Sequence, residues 1–279
     1  MTEATFPNVK YETKDWICTI TLNRPEVMNA VDNATGADIE AALSLAARDP
    51  DARVVIVTGE GRGFCAGGNM KSLGSPDQRD PVAVKWGSDP SWNGYDLRSR
   101  RLLRSAEGWT QMSTMSKPTI AMVNGPVVGA GCSLALAADF RIASDRSSFN
   151  SGYVARGLSG DVGGAWSAVN VLGPAKAREF LFFPRTIPAD ECLRMGLVNR
   201  VVPHEKLLEE TMAMARELAD GPPVAYAHLK ENIDAAVQLH MHAALDIEAR
   251  NFARCLNSED CKEAVGAFLE KRKPVYKGR

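Results

Sequence analysis

The chain has 279 residues, 45% hydrophobic and 24% charged, with 33 Lys and Arg against 34 Asp and Glu. Those proportions are those of a globular protein with a core of real size, divided into one large domain or two smaller ones. A net charge of −1 gives no electrostatic case for nucleic acid or for an acidic membrane surface.

The six cysteines, at 18, 65, 132, 192, 255 and 261, form no Cys-x-x-Cys pair. Neither a disulfide framework nor a metal site is expected. The opening MTEATFPNVKYETKDW has no apolar run after its first charges, so it is not read as a signal peptide, and a cytoplasmic location is expected.

Taken in chain order, WICTITL (16–22) alternates Trp16, Cys18, Ile20 and Leu22 against Ile17, Thr19 and Thr21 and predicts a strand. NRPEVMNAVD (23–32) reads as a loop entering a helix, on which Ile39, Ala42, Leu43 and Ala46 share a face. RVVIVTG (53–59) predicts a buried strand. EGRGFCAGGNM (60–70), with Gly61, Gly63, Gly67 and Gly68, must be a loop. Residues 74–101 mix Pro, Gly, Trp and charge without a period and read as a long surface segment. There Lys85, Trp86, Trp92 and Tyr95 form either a lid or a solvated loop. A helix is predicted over 97–115.

TIAMVNGPVVGAGCSLALAA (119–138) carries no charge and is long enough to span a bilayer. Asn-Gly-Pro near its middle argues instead for a buried strand, a tight turn and a buried helix opened by Gly129 and Gly131 and ending near Asp139. Beyond 174 the pattern is mostly helical. Leu207, Thr211, Met214 and Leu218 mark one helix face, Ala225, Leu229, Ile233 and Ala236 the next, and Met241, Leu245, Ala249, Phe252 and Leu256 a third. A last helix has Glu259 and Asp260 in its first turn and Lys271 to Lys273 at its end, matching the helix dipole. A division into β/α units over 1–200 and a helical region over 201–279 is expected.

Both glycine loops follow a predicted buried strand. If they face one another, their free N–H groups make a two-donor site for a developing oxyanion. The alternative is that the glycines only permit tight packing. GRGFCA (61–66) fits a permissive dinucleotide fingerprint, but no helix follows it directly and no Walker pattern occurs.

The segments NRPEVMNAVD, GRGFCAGGNMKSL, KPTIAMVNGPVVGAGCSLALAADFRIAS, GPAKAREFLFFPRTIPADECLRMGLVNRVVP and AFLEKRKPVY occur in that order. Together they resemble the enoyl-CoA hydratase/isomerase (crotonase) family over nearly the whole chain except 74–101. The resemblance implies an α/β spiral of ββα units with a C-terminal helical trimerisation region, assembling as a homotrimer or hexamer. It implies an acyl-CoA thioester substrate, with coenzyme A entering as part of the substrate and no separate cofactor. By position, the oxyanion hole falls on the N–H groups of Gly68 and Ala130. Gly68, Asn69, Met70 and Lys71 would line the acyl-CoA channel, and Glu26, Val27, Ala30 and Ala66 would approach the CoA moiety.

The resemblance also marks a departure. A typical hydratase of the family carries two glutamates, at positions that here are Ser133 and Tyr153. Neither is a carboxylate base, since Tyr titrates near ~10 and a serine hydroxyl higher still. Asp161, in GLSGDVGG, matches a catalytic aspartate of the dienoyl-CoA isomerases of the family. Asp161 is thus a catalytic acid–base candidate or the cap of a helix starting at Val162. Tyr153 is a proton donor or a pocket wall, and Ser133 holds a water or fills space. The expected activity is double-bond isomerisation or another enolate step rather than hydration of crotonyl-CoA, with an enoyl-CoA hydratase or acyl-CoA hydrolase using an atypical acid–base group as the alternative. A thioester-binding protein without turnover shares the same loops. His240 and His242 lie two apart on a predicted helix and read as surface residues. His204 begins a helix, and Asp139 reads as an anchor for the following segment.

Overall fold

The computed structural model describes residues 2–71 and 95–279. β1 (Thr2–Phe6), β2 (Val9–Lys14) and β3 (Ile17–Leu22) form an antiparallel meander. The β2–β3 hairpin turns on Asp15 and Trp16, whose φ values are both positive, 51° and 67°. Trp16 therefore sits in the turn rather than opening the strand. Outside the sheet its ring stacks under the Arg53 guanidinium, 4.5 Å from the ring centre.

α1 (Asn33–Arg48) returns the chain to β4 (Val54–Gly59), which pairs parallel with β3. Asp32 caps α1 by accepting from the Thr35 N–H at 2.9 Å. α2 (Tyr95–Thr114) leads to β5 (Thr119–Val123), parallel to β4. The uncharged stretch then divides as the turn signal predicts, into β5, a turn through Asn124, β6 (Val127–Val128) and α3 (Ala130–Leu136). Every residue of α3 is buried. This apolar helix is enclosed by protein, and among the described residues no helix is long and apolar enough to cross a membrane.

β7 (Phe140–Ser144) joins β5, and β8 (Ser148–Asn150) pairs with β6. α4 (Gly164–Phe182) is broken at Gly173 (φ 72°) before Pro174. After it come β9 (Ile187–Pro188), α5 (Ala189–Met195) and β10 (Arg200–Val202). The larger sheet has the order β1-β2-β3-β4-β5-β7-β10, parallel from β3 onward, and β6, β8 and β9 make a small second sheet.

Side-chain alternation divides the core between the two faces of the large sheet. Cys18, Ile20, Leu22, Val55 and Val57 meet Ile39, Ala42, Leu43 and Ala46 of α1 on one face. Ile17, Val54, Ile56, Ile120 and Ile142 meet Leu207, Ala215 and Ala219 of α6 (Leu207–Ala219) on the other. α7 (Pro223–Gln238), α8 (Met241–Leu256) and α9 (Glu259–Glu270) behave differently. Leu229, Ile233, Met241, Leu245, Phe252 and Leu256 are exposed, so their predicted stripes face away from this chain's own core, and Phe268 of α9 is exposed as well.

Candidate active site

Three loops lie side by side along one edge of the fold and are laced by backbone hydrogen bonds. Phe64 and Cys65 donate to the Pro126 carbonyl at 3.2 and 3.3 Å, and Val128 donates to the Cys65 carbonyl at 2.9 Å. Ala66 donates to the Met28 carbonyl at 2.9 Å, Val31 to Gly67 at 2.8 Å and Asn69 to Val31 at 2.7 Å. Two asparagine side chains complete the lacing. Asn29 donates to the carbonyls of Glu60 (3.0 Å) and Gly63 (2.9 Å), and Asn124 to that of Gly61 (2.9 Å).

This lacing brings the two glycine loops together. Gly67 takes φ +84°, and a Cβ there would lie 2.6 Å from the Val128 oxygen and 3.5 Å from the Ala130 nitrogen. Only glycine permits both that backbone conformation and that approach. Gly129 (φ 53°) is the facing residue. The next residue on each loop, Gly68 and Ala130, presents its N–H at this junction, and neither amide has an acceptor among the described residues. A Cβ on Gly68 would meet nothing within 4 Å, so Gly68 borders open space. Gly131 serves the other purpose considered: its Cβ would fall 2.6 Å from the Cys65 oxygen, a close-packing role. Cys65 and Cys132 flank the junction, but burial pushes the Cys65 thiol up to about 12 and Cys132 higher. Neither supplies a thiolate near neutral pH.

The two segments that carry the residues assigned to coenzyme A are joined by the backbone hydrogen bonds between 28–31 and 66–69. Glu26 and Val27 lie in the exposed turn Pro25–Val27. Ala30 and Ala66 are half-buried beneath it, and Met70 and Lys71 are exposed at the far end. Asn69 holds that end by accepting from the Lys71 N–H at 3.1 Å. Arg24 fixes the turn, with Nη1 2.6 Å from Asp32 and 3.2 Å from the Ala30 carbonyl.

Beside this backbone-lined wall stands a side-chain wall: a Cβ on Gly129 would lie 4.0 Å from Tyr153 Cε1. Ser133 projects from α3 and is 1% exposed; Tyr153, just after β8, is 8% exposed. The Tyr153 hydroxyl donates to Asp161 Oδ1 at 2.5 Å, and Ser133 Oγ lies 3.1 Å from the Tyr153 hydroxyl. Ser133 Oγ also lies 3.2 Å from the Asp161 carbonyl oxygen. The single Ser133 proton can serve one of these two acceptors at a time. The three side chains thus come together as one hydrogen-bonded group.

The Asp161 residue is open to solvent on its outer side, while Oδ1 points inward onto Tyr153. Burial of the carboxylate pushes its pKa above the ordinary aspartate value, and the Tyr153 bond pulls it back down. Burial, with the neighbouring Asp161 charge, pushes the Tyr153 phenol far above its ordinary value. Tyr153 is therefore a standing proton donor to Asp161 and not a base.

The capping role weighed for Asp161 does not hold. α4 starts at Gly164 behind Gly163, with no side-chain cap, and Val162 lies in the preceding turn. The Asp161 carboxylate is committed to Tyr153 instead. Asp139 anchors, but its partners are the Thr119 N–H (2.7 Å) at the start of β5 and Lys230 of α7 (2.8 Å) rather than the segment after it. His204 opens a short 3-10 turn and its Nδ1 contacts Ser144 Oγ at 3.0 Å. His240 caps α8 and His242 is exposed, both away from the junction's hydrogen bonds. Lys85, Trp86 and Trp92 lie outside the described residues, and Tyr95 opens α2. Sequence reasoning missed Arg24, Asn29 and Asn124. For Asn29 and Asn124 the available signal was an amide set among apolar or glycine neighbours in a loop, where a buried amide needs backbone partners.

Comparison with known proteins bears on this arrangement. The family model for enoyl-CoA hydratase/isomerase matches residues 12–279. A probable enoyl-CoA hydratase of Rhodobacter capsulatus is 35% identical over 98% of this chain and 99% of its own. A crotonyl-CoA hydratase of Syntrophomonas wolfei is 32% identical over 97% and 98%. The crystal structure of an enoyl-CoA hydratase subunit from Geobacillus kaustophilus superposes with a TM-score of 0.85 at 34% identity, covering 99% of this chain and 100% of that one. With its spiral α/β core, helical C-terminus and paired glycine loops, the chain belongs to the enoyl-CoA hydratase/isomerase family of acyl-CoA-processing enzymes.

Proposed function

We propose that this enzyme moves a double bond within an enoyl-CoA thioester, using Asp161 as its single acid–base group. The thioester carbonyl accepts from the N–H groups of Gly68 and Ala130, neither of which has an acceptor among the described residues. Two fixed donors aimed at a developing enolate oxygen lower the barrier by several kcal/mol where water is excluded. Coenzyme A enters as part of the substrate, along the strip Glu26, Val27, Ala30, Ala66 and Asn69 to Lys71, and no separate cofactor is needed for this proton chemistry.

The observation that carries the reading is the 2.5 Å bond between Tyr153 and Asp161. Adding water to a double bond calls for a water held between a base and an acid. Here the two groups at that wall bond directly to each other, with no room for a water between them. A 1,3-proton shift needs only one carboxylate. Asp161 takes the proton from C2 of a 3-enoyl thioester, the electrons pass into the dienolate, and Asp161 returns the proton at C4. Tyr153 keeps the Oδ1 side of the carboxylate occupied, leaving Oδ2 for the substrate.

A second reading, hydration with Asp161 as base, is favoured by one observation: the similar protein of Syntrophomonas wolfei is named a crotonyl-CoA hydratase. The purified enzyme decides between them when given 3-hexenoyl-CoA and crotonyl-CoA in D2O. Isomerisation to 2-hexenoyl-CoA, with the transferred proton at least partly retained rather than replaced by deuterium, supports the first. Rapid formation of 3-hydroxybutyryl-CoA overturns it in favour of the second.

The exposed stripes of α7, α8 and α9 support assembly into a homotrimer or hexamer, since apolar helix faces of this width need partners. A monomer by light scattering at micromolar concentration would overturn that assignment.

A further inference from the structure

The turn that delivers Asp161 contains the one strongly disfavoured backbone conformation at this wall. Asp161 to Gly164 form a β-turn closed by the Gly164 N–H donating to the Asp161 carbonyl at 2.9 Å. Its two central residues, Val162 and Gly163, have φ +40° and +74°. Positive φ at both positions is the signature of a type I′ turn, which favours Asn-Gly or Gly-Gly. A β-branched residue there brings its side chain against its own backbone and is a true outlier. The same segment uses glycine at its other left-handed positions, Gly157 (φ 68°) and Gly160 (φ 113°). Val162 is the exception, and its isopropyl group is half-buried against the main core.

Strained backbone persists only where surrounding contacts over-determine it, and such positions cluster where geometry is functional. The contacts here are specific. The Asp161 carbonyl takes the Gly164 N–H and lies within reach of Ser133 Oγ, while Oδ1 takes the Tyr153 hydroxyl. Oδ2 has no partner among the described residues. We propose that Val162 is a positioning residue: anchored in the core, it holds the Asp161–Gly164 turn in its left-handed form and so aims Asp161 Oδ2 at the substrate carbon. This rests on the reading of Asp161 as the acid–base group.

Replacing Val162 by Gly keeps the turn accessible, removes the strain and removes the anchor. The expected result is a folded enzyme with KM little changed and kcat lowered by ~10-fold or more, as misplacement of a reacting group by a fraction of an ångström costs in that range. The acid limb of kcat/KM should move down toward the ordinary aspartate range, because a loosened carboxylate is better hydrated. Val162→Asn guards against misfolding of the Gly variant, since Asn-Gly suits this turn; it lacks the apolar anchor and should lose less turnover than Gly. Val162→Ile, which keeps the branched anchor, should recover most of what Gly loses. A folded Gly or Asn variant with wild-type kcat and an unmoved pH profile overturns the proposal while leaving Asp161's role intact. If Asp161→Asn is itself fully active, the acid–base reading fails, and this inference fails with it.

Discussion

The two walls of the candidate site are made of different material. The wall of Gly68 and Ala130 offers main-chain N–H groups, held by a lattice of backbone hydrogen bonds and by the amides of Asn29 and Asn124. The wall of Ser133, Tyr153 and Asp161 offers side chains, held by one another and by a strained turn. A main-chain donor survives nearly any change of its own side chain and is lost only when the loop moves. A side-chain acid is lost by changing one atom. In the function proposed above, the first wall holds the enolate oxygen. In the same proposal the second sets which proton moves, with Ser133 and Tyr153 at the positions where the resemblance expects glutamates in the family's hydratases.

The largest effect should come from the side-chain wall. Asp161→Asn cannot take a proton, so turnover on the true substrate should fall by ~10² to 10⁴-fold, measured as kcat beside binding of a non-reactive acyl-CoA by calorimetry. Burial raises the carboxyl's pKa in the fold. Its contribution to stability is thus fully present below the unfolded pKa and lost as pH rises through the folded one. At neutral pH the Asn variant should accordingly melt at or above the wild-type Tm, with the gap closing as pH falls. A clear drop in Tm would restore a structural role for Asp161.

On the other wall, the test is whether the damage follows the backbone rather than the side chain. Gly67→Ala forces a Cβ to within 2.6 Å of the Val128 oxygen at φ +84°. The loop must shift, carrying the Gly68 amide with it, and loss of one oxyanion donor costs ~10² to 10³-fold in kcat. Gly68→Ala adds the same methyl one residue on, where nothing lies within 4 Å. It keeps its N–H and should mainly raise KM. Equal losses of kcat in the two variants would show that position 68 matters for its side chain and would erase the contrast.

The smallest effect should be a displacement in pH. Tyr153 donates to Asp161 and lowers its pKa against the rise from burial. Tyr153→Phe removes the lowering influence, so the acid limb of kcat/KM should move to higher pH with a modest loss at the optimum. A limb that moves to lower pH would mean that desolvation by the Tyr153 ring outweighs its hydroxyl.

Much of this molecule was determined by local pattern. Period-two alternation placed Cys18, Ile20 and Leu22 on one face of β3, and period 3.6 placed Ile39, Ala42, Leu43 and Ala46 on the buried face of α1, because burial repeats with backbone geometry. Asn-Gly-Pro divided the uncharged stretch into strand, turn and helix, and the order of the quoted segments was enough to name the family. The same periods found the stripes on α7 and α8 but not that they lie exposed, since a stripe does not say what covers it. Other features were settled only by contacts between residues far apart in the chain. Asp161 reads as a cap or a base, and its carboxylate caps no helix but takes the Tyr153 hydroxyl. The glycines read as packing or as donors; Gly67 packs against Val128 and Gly131 against Cys65, while the amides of Gly68 and Ala130 have no acceptor among the described residues. Trp16 fitted a strand until the hairpin turned on it, and Val162 carried no sequence signal of its left-handed backbone. A side chain's type fixes which bonds it can make. The folded neighbours fix which one it does make, because each polar group in the interior has few partners within reach and must take the one the tertiary structure supplies.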